Sequence, residues 1–300
     1  MKTISFSIAN RVNVNITPQN EKVFDFIEMI YRSFPKPTTL SSLELNVSVK
    51  DVSPTGLSLK LGKDAVLEEG KILLNTGHYF TRKENVIEVI IPLKVKRGRI
   101  PFKRDTPGRH ITDEIVEPIL KELLQELDAA FLHASSYVEN DKATVVMAWR
   151  ATGKTQTILK LLGKNKVLSD DLAILDTKGK VYAYPRPIRV YSYNIIDMPF
   201  SNSEKKKLYR KARLTPPWQP VVYYQLEMKD EQEYPLGELK FLNNIKQNVA
   251  VLADHIIEFE YAYFNPWRKM LQIANILKVS STEEIISKSL KSMNDTKEAV

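Results

Sequence analysis

Two short groups of residues carry the chemistry that this 300-residue sequence offers. The first is Gly153-Lys154-Thr155, set between a strand-like apolar run, KATVVMAW, and an amphipathic helix-like run that Gly163 is placed to stop. The second is Asp170-Asp171, sixteen residues after Lys154 inside the apolar run KVLSDDLAILD. In a strand–loop–helix of the first kind, backbone N–H groups and the helix N-terminus receive phosphate oxygens. The lysine neutralises their charge, and the hydroxyl that follows it ligates Mg²⁺. The full pattern is Gly-x-x-x-x-Gly-Lys-Ser/Thr. Here Ala148-Trp149-Arg150-Ala151-Thr152-Gly153-Lys154-Thr155 keeps the second half and has alanine for the first glycine. Alanine suits that place if its φ is negative.

Gly-Lys-Thr alone is common by chance. Two adjacent carboxylates in an apolar strand are costly unless a cation or a catalytic duty offsets the cost. The plain alternative is a strand end where both are solvated. Together, the two groups favour a phosphate and divalent-cation site.

The elements that must position them read as follows. Residues 2–16 alternate apolar and polar, as a half-buried strand does. Residues 20–34 have helical spacing, with Asn20 as cap, and PKPTT ends them. The segments SLELNVSV, GLSLKLG, KILLNTGHYF and VIEVIIPLKV look like four strands of an antiparallel sheet. Residues 1–104 are therefore expected to form a small α+β N-terminal domain, with a boundary in KRDTPGRH (103–110). Arg104, Arg109 and His110 in that stretch suit either a linker or an anion clamp.

Residues 105–293 are expected to form an α/β domain. A long helix capped by Thr112, with Ile115, Ile119 and Leu123 in its apolar stripe, leads into a strand near 131–138. Then come the strand 142–149, the helix after Lys154 and the strand 166–176. The segment 179–195 is β-like and broken by Pro185 and Pro187. A basic helix at 203–212, a Pro-rich loop, and helices near 239–252, 267–277 and 282–292 follow. Residues 294–300 are a frayed tail.

Composition removes several classes. With no cysteine there are no disulfides or thiolate metal sites. The N-terminus has no signal-peptide run, and nowhere do about 18 apolar residues follow one another. A soluble, cytoplasmic protein without membrane contact is expected. The net charge of +8 is spread along the chain, with much of the basic excess in KVKRGRIPFKR and SEKKKLYRKAR. No nucleic-acid-binding signature accompanies it, so no nucleic-acid partner is expected. No paired-histidine spacing suggests a dedicated metal site, and His78 and His255 read as structural.

Residues 131–176 resemble the catalytic core of the HPr kinase/phosphorylase family and its HPr-kinase-like relatives. The order is the same: Leu-His before a short hairpin, an apolar strand, the loop, a helix, and a strand carrying Asp-Asp. YPRPIRV (184–190) is similar to a Pro-rich segment of those relatives. The resemblance spans about 60 residues. It implies a P-loop catalytic domain of the HPr-kinase/PEP-carboxykinase-like type, using ATP and Mg²⁺. Lys154 would hold the β/γ-phosphates, and backbone amides of Ala151, Thr152, Gly153, Lys154, Thr155 and Gln156 would line them. Thr155 would ligate the metal. Of the aspartates, Asp170 would sit at the metal and Asp171 would accept the proton of an acceptor hydroxyl. His133 aligns with the family's histidine before the loop, to bind near the phosphates or orient an aspartate.

The chain departs from the family where Ala148 and Ala151 replace glycines and Trp149 and Gln156 replace acids. HPr as partner and phosphorolysis are therefore not expected. The resemblance implies a kinase acting on another hydroxyl, a protein or peptide serine or a small molecule, with homo-oligomerisation by family analogy. Arg186 and Arg189 would either stabilise the transferring phosphoryl or lie on a strand edge. Two other readings remain: a nucleotide-binding regulator without turnover, and a nucleic-acid-linked ATPase.

Overall fold

The computed structural model describes residues 2–18, 21–50, 66–68, 71–74, 78–92, 110–147, 153–217, 219–228 and 233–242. The chain divides into two compact units, Met1–Leu123 and Leu124–Val300. Residues 103–109 of the expected linker, and the expected helices at 267–277 and 282–292, lie outside the described residues, as do the tail at 294–300 and the segment GLSLKLG.

The first unit holds β1 (Ile4–Ile8), β2 (Val12–Thr17), α1 (Glu21–Tyr31), β3 (Leu43–Lys50), β4 (Val66–Glu68), β5 (Lys71–Leu74), β6 (His78–Lys83) and β7 (Val86–Pro92). The expected single strand at 2–16 is a hairpin. Ala9 and Asn10 take φ of 51° and 53°, and Arg11 N–H closes on the Ile8 carbonyl at 2.9 Å. No glycine marks this turn; asparagine is among the residues that tolerate the left-handed region. The described strands form one sheet in the order β1-β2-β3-β7-β6-β5-β4. Its expected antiparallel character holds only in part, because β2/β3 and β3/β7 are parallel. A parallel neighbour needs a crossover, and α1 supplies it between β2 and β3. The amphipathic α1 buries Val23, Ile27, Ile30 and Tyr31, and Tyr31 stacks on Phe6 of β1 at 4.1 Å.

The expected long helix opens differently from its reading. Residues His110–Val116 form a widened π-type turn, followed by α2 (Glu117–Glu126). Thr112 lies inside that turn, fully buried, and donates to Asp113 at 3.0 Å, so it is no N-cap. Pro118, which has no N–H to donate, follows at the junction.

The second unit holds β8 (Ala129–Leu132), β9 (Ala134–Glu139), β10 (Lys142–Met147), α3 (Lys154–Leu161), β11 (Lys166–Ser169), β12 (Ala173–Asp176), β13 (Lys180–Tyr182), β14 (Ile188–Val190), a 3₁₀ turn (Ser192–Asp197), α4 (Asn202–Ala212), β15 (Val222–Tyr224) and β16 (Glu233–Phe241). Its main sheet runs β11-β9-β10-β16-β13-β12-β8 among the described residues, while β14 and β15 pair separately. The pair β10/β16 is parallel, and the other described pairs of this unit are antiparallel.

Three expectations change here. The strand expected near 131–138 is two strands that part at His133, because β8 pairs with β12 while β9 pairs with β10 and β11. The strand expected at 166–176 is also two. β11 and β12 sit at different places in the sheet, and Asp170-Asp171-Leu172 is the stretch that travels between them. Residues 239–241, expected to begin a helix, end β16. Both faces of the sheet are covered by apolar clusters: one around Leu132, Val145, Leu168 and Leu175, the other around Val146, Ile158, Leu159 and Ile195. The second is what seats α3 beneath β10 and β11.

Candidate functional site

The two breaks in the sheet and the start of α3 meet at one cavity of about 670 Å³. Strand β10 leads toward it and α3 leaves it. Gly153 makes the entry to α3 with φ +102°, a backbone state that side-chain-bearing residues rarely adopt, and its carbonyl accepts from Thr157 N–H at 2.9 Å. Lys154, Thr155 and Gln156 then form the first turn of α3, whose N–H groups have no intrahelical carbonyl to bond. All three line the cavity with Gly153. Ala151 and Thr152, expected to add backbone amides, lie outside the described residues, as do Ala148, Trp149 and Arg150.

The aspartates enter from β11. Ser135 on β9 donates its hydroxyl to the Asp170 carbonyl, and Ser136 pairs with Ser169 at 2.8 Å. These bonds fix the backbone where the strand ends. Asp170 Oδ2 accepts from Thr155 Oγ1 at 3.4 Å. Asp170 Oδ1 is shut off from solvent and has no hydrogen-bond partner. Burial, and secondly repulsion from Asp171, push the Asp170 carboxyl up to about 7, against the Thr155 bond and the charges of Arg189 and Lys154.

Asp171 behaves in the opposite way. Its Oδ1 meets His133 Nε2 at 3.0 Å. Burial works to raise its carboxyl but is partial, since the side chain is 69% exposed. The hydrogen bond and charge of His133, with the charges of Arg189 and Lys154, win and hold it at about 2. Adjacent carboxylates are thus driven apart: one holds its proton to near neutrality, the other stays ionised.

His133, Lys154, Thr155, Gln156, Asp170 and Asp171 therefore share one cavity. Arg186 and Arg189 also line it, although a surface place on a strand edge was the favoured expectation for them. Tyr184, Tyr191, Tyr193, Asn194 and the supporting Ser135 were not picked out from sequence. The run YPRPIRVYSYN was the available signal: aromatic and cationic residues packed together directly after the Asp pair.

Oxygen donors suit a hard divalent cation. Thr155 Oγ1 and both Asp170 oxygens form such a set, and the orphaned Asp170 Oδ1 is an acceptor with nothing to accept from. Among the described residues no group of three or more His, Asp or Glu side chains is arranged as a metal cage.

No protein-family model matches the chain, and no curated protein matches it. Among the described residues no helix is long and apolar enough to cross a membrane.

Proposed function

We propose that the second unit is an ATP-dependent, HPr-kinase-like P-loop kinase that transfers a phosphoryl group to a hydroxyl. One observation carries the reading. Lys154, Thr155, Asp170, Asp171 and His133, which come from three separate places in the chain, converge on one cavity where the two aspartates have opposite proton affinities.

Lys154 and the N-terminus of α3 receive the β- and γ-phosphates. Thr155 and Asp170 would hold Mg²⁺, which when bound offsets phosphate charge. Asp171, ionised at neutral pH and oriented by His133 Nε2, faces the open part of the cavity, where an acceptor hydroxyl enters. A carboxylate held this acidic is a weak base, so it takes the proton late. The acceptor oxygen bonds to the γ-phosphorus, the bond from that phosphorus to the β–γ bridging oxygen breaks, ADP leaves, and the hydroxyl proton passes to Asp171. Most of the rate comes from positioning and charge, which Lys154, Arg186 and Arg189 are placed to supply.

The test has two stages. Calorimetry of ATP and ADP with Mg²⁺ should show micromolar-range binding to the wild type and its loss in Lys154→Ala. Transfer of labelled γ-phosphate to serine-containing peptide pools should then be abolished by Asp171→Asn with ATP affinity kept. Absence of nucleotide binding removes the kinase reading. Binding without transfer to any hydroxyl acceptor selects the regulator reading, which Ala148 and Ala151 in the loop favour.

A further inference from the structure

The 3₁₀ turn that brings Tyr193 to the cavity is bonded to helix α4, a surface that phosphate transfer does not use. Helix α4 carries Lys205, Lys206, Lys207, Arg210 and Lys211 against a single acid, Glu204. That acid is engaged at the helix start, where its carboxylate accepts from Ser201 N–H at 2.9 Å and Ser201 Oγ at 2.6 Å. The inner side of α4 is set by Leu208 and Ala212, which pack on the cluster containing Ile195 and Met198. At 100° per residue, Lys206, Lys207 and Arg210 then fall within one outward arc, and all three are exposed. Among the described residues, none of the three makes an ion pair within 4 Å.

Helix α4, with this cationic ridge, is tied to the turn that carries Tyr193. Lys205 Nζ donates to the Ile196 carbonyl at 2.8 Å, fixing α4 to the 3₁₀ turn. In that turn Tyr193 lines the cavity, stacks on Tyr191 with centroids 5.6 Å apart, and is still 66% exposed. Ile196 beside it is 67% exposed. The turn that carries the exposed Tyr193 and Ile196 thus forms an apolar lip between the cavity and α4, whose outward arc holds Lys206, Lys207 and Arg210.

We propose that this lip and ridge dock an acidic polypeptide segment, whose apolar side chain rests on Tyr193 and Ile196 and whose carboxylates meet Lys206, Lys207 and Arg210. Resting on the kinase reading, this makes the acceptor a serine or threonine in an acidic protein segment. A polypeptide suits the surface better than a nucleic acid. Aliphatic Ile196 offers nothing to phosphate or sugar. Charge complementarity over an exposed ridge sets selectivity and encounter rate more than raw affinity.

The test uses the full chain and the variant K206E/K207E/R210E. Fluorescence anisotropy at near-physiological salt is read with two labelled serine-centred peptides, one flanked by Asp and Glu, the other by Lys and Arg. The wild type should bind the acidic peptide and not the basic one. Charge reversal should weaken acidic-peptide binding about tenfold, the sum of three exposed pairs. The melting temperature and Mg²⁺–ATP calorimetry should not change, since the three residues are exposed and outside the cavity. Equal binding of both peptides, or no effect of the variant, overturns the proposal. So does variant-sensitive binding of single-stranded RNA, or of phosphatidylserine vesicles, that is tighter than that of the acidic peptide. If the acidic peptide binds as expected but neither it nor any other hydroxyl acceptor receives a phosphoryl group, the docking surface stands and the kinase reading falls.

Discussion

Asp170 is the residue whose chemistry is most sharply set by its surroundings. Its folded-state carboxyl lies near 7, well above the ordinary 3.8, so folding favours the protonated form. The sign follows from linkage. The favourable contribution is complete below about pH 4 and is lost as pH rises through 7. Asp170→Asn carries no such loss, so its melting temperature should exceed that of the wild type by a margin that grows from pH 5 to pH 8. On the proposed reading Mg²⁺ would bind the ionised carboxylate, so it should narrow that gap at pH 8 by stabilising the wild type alone. A melting difference that is flat with pH would show that Asp170 is not held protonated. His133 acts on the other aspartate. Its bond to Asp171 lowers that carboxyl, so His133→Ala should move the acid limb of the kcat profile to higher pH and lower kcat about 10–100-fold. A lower kcat with an unmoved limb would leave His133 a merely structural part of the wall.

At the scale of elements, two glycines decide whether α3 and β10 stay where the site needs them. Gly153 turns the chain into α3 at φ +102°. A Cβ there meets Gln156 Oε1 only at an ordinary 3.5 Å, so the cost of Gly153→Ala is backbone strain, about 1–2 kcal/mol. Gly237 sits where β16 slips register against β10 between Ala143 and Thr144, and a Cβ would come within 2.7 Å of Lys142 Cβ. Gly237→Ala must spread the two strands, at about 1–3 kcal/mol. Thermal melts check both, with a drop of a few degrees each. Nucleotide affinity should fall in Gly153→Ala.

Much of this level was readable. The spacing around α1, α3 and α4 marks helices, and Gly163 at φ +77° follows α3 as its composition suggests. What was not readable is where a continuous apolar run changes partners. KVLSDDLAILD and AAFLHASSYV each look like one strand because both halves are buried. Only the pairing shows that Asp170-Asp171 and His133 stand at the crossings. Lys154, Asp170 and Asp171 were legible as chemistry because charge set in or against an apolar run needs a reason. Tyr193 and Asn194 were not, since a tyrosine or asparagine in an irregular segment has many uses.

For the whole molecule, the excess of 44 Lys and Arg over 36 Asp and Glu draws anions in general, and generality is the difficulty it raises. The kinase reading and the nucleic-acid-linked ATPase both predict weaker substrate capture as salt rises, so a salt effect alone separates nothing. Its distribution between kinetic constants does. Lys154, Arg186 and Arg189 line the cavity and, on the kinase reading, would meet phosphate at short range, where screening is weak, while the outer ridge on α4 is open to salt. Raising NaCl from about 0.05 to 0.5 M should therefore raise KM for an acidic peptide several-fold, change KM for Mg²⁺–ATP less, and leave kcat nearly constant. An ATPase driven by nucleic acid behaves otherwise. Its hydrolysis rises when DNA or RNA is added at low salt, and that stimulation collapses over the same salt range with the steep slope of counterion release. Steady-state assays with and without single-stranded RNA and duplex DNA across that range decide the matter. Stimulation by either would move the +8 from a peptide-docking role to a nucleic-acid one, and stimulation by neither leaves the charge to the acceptor.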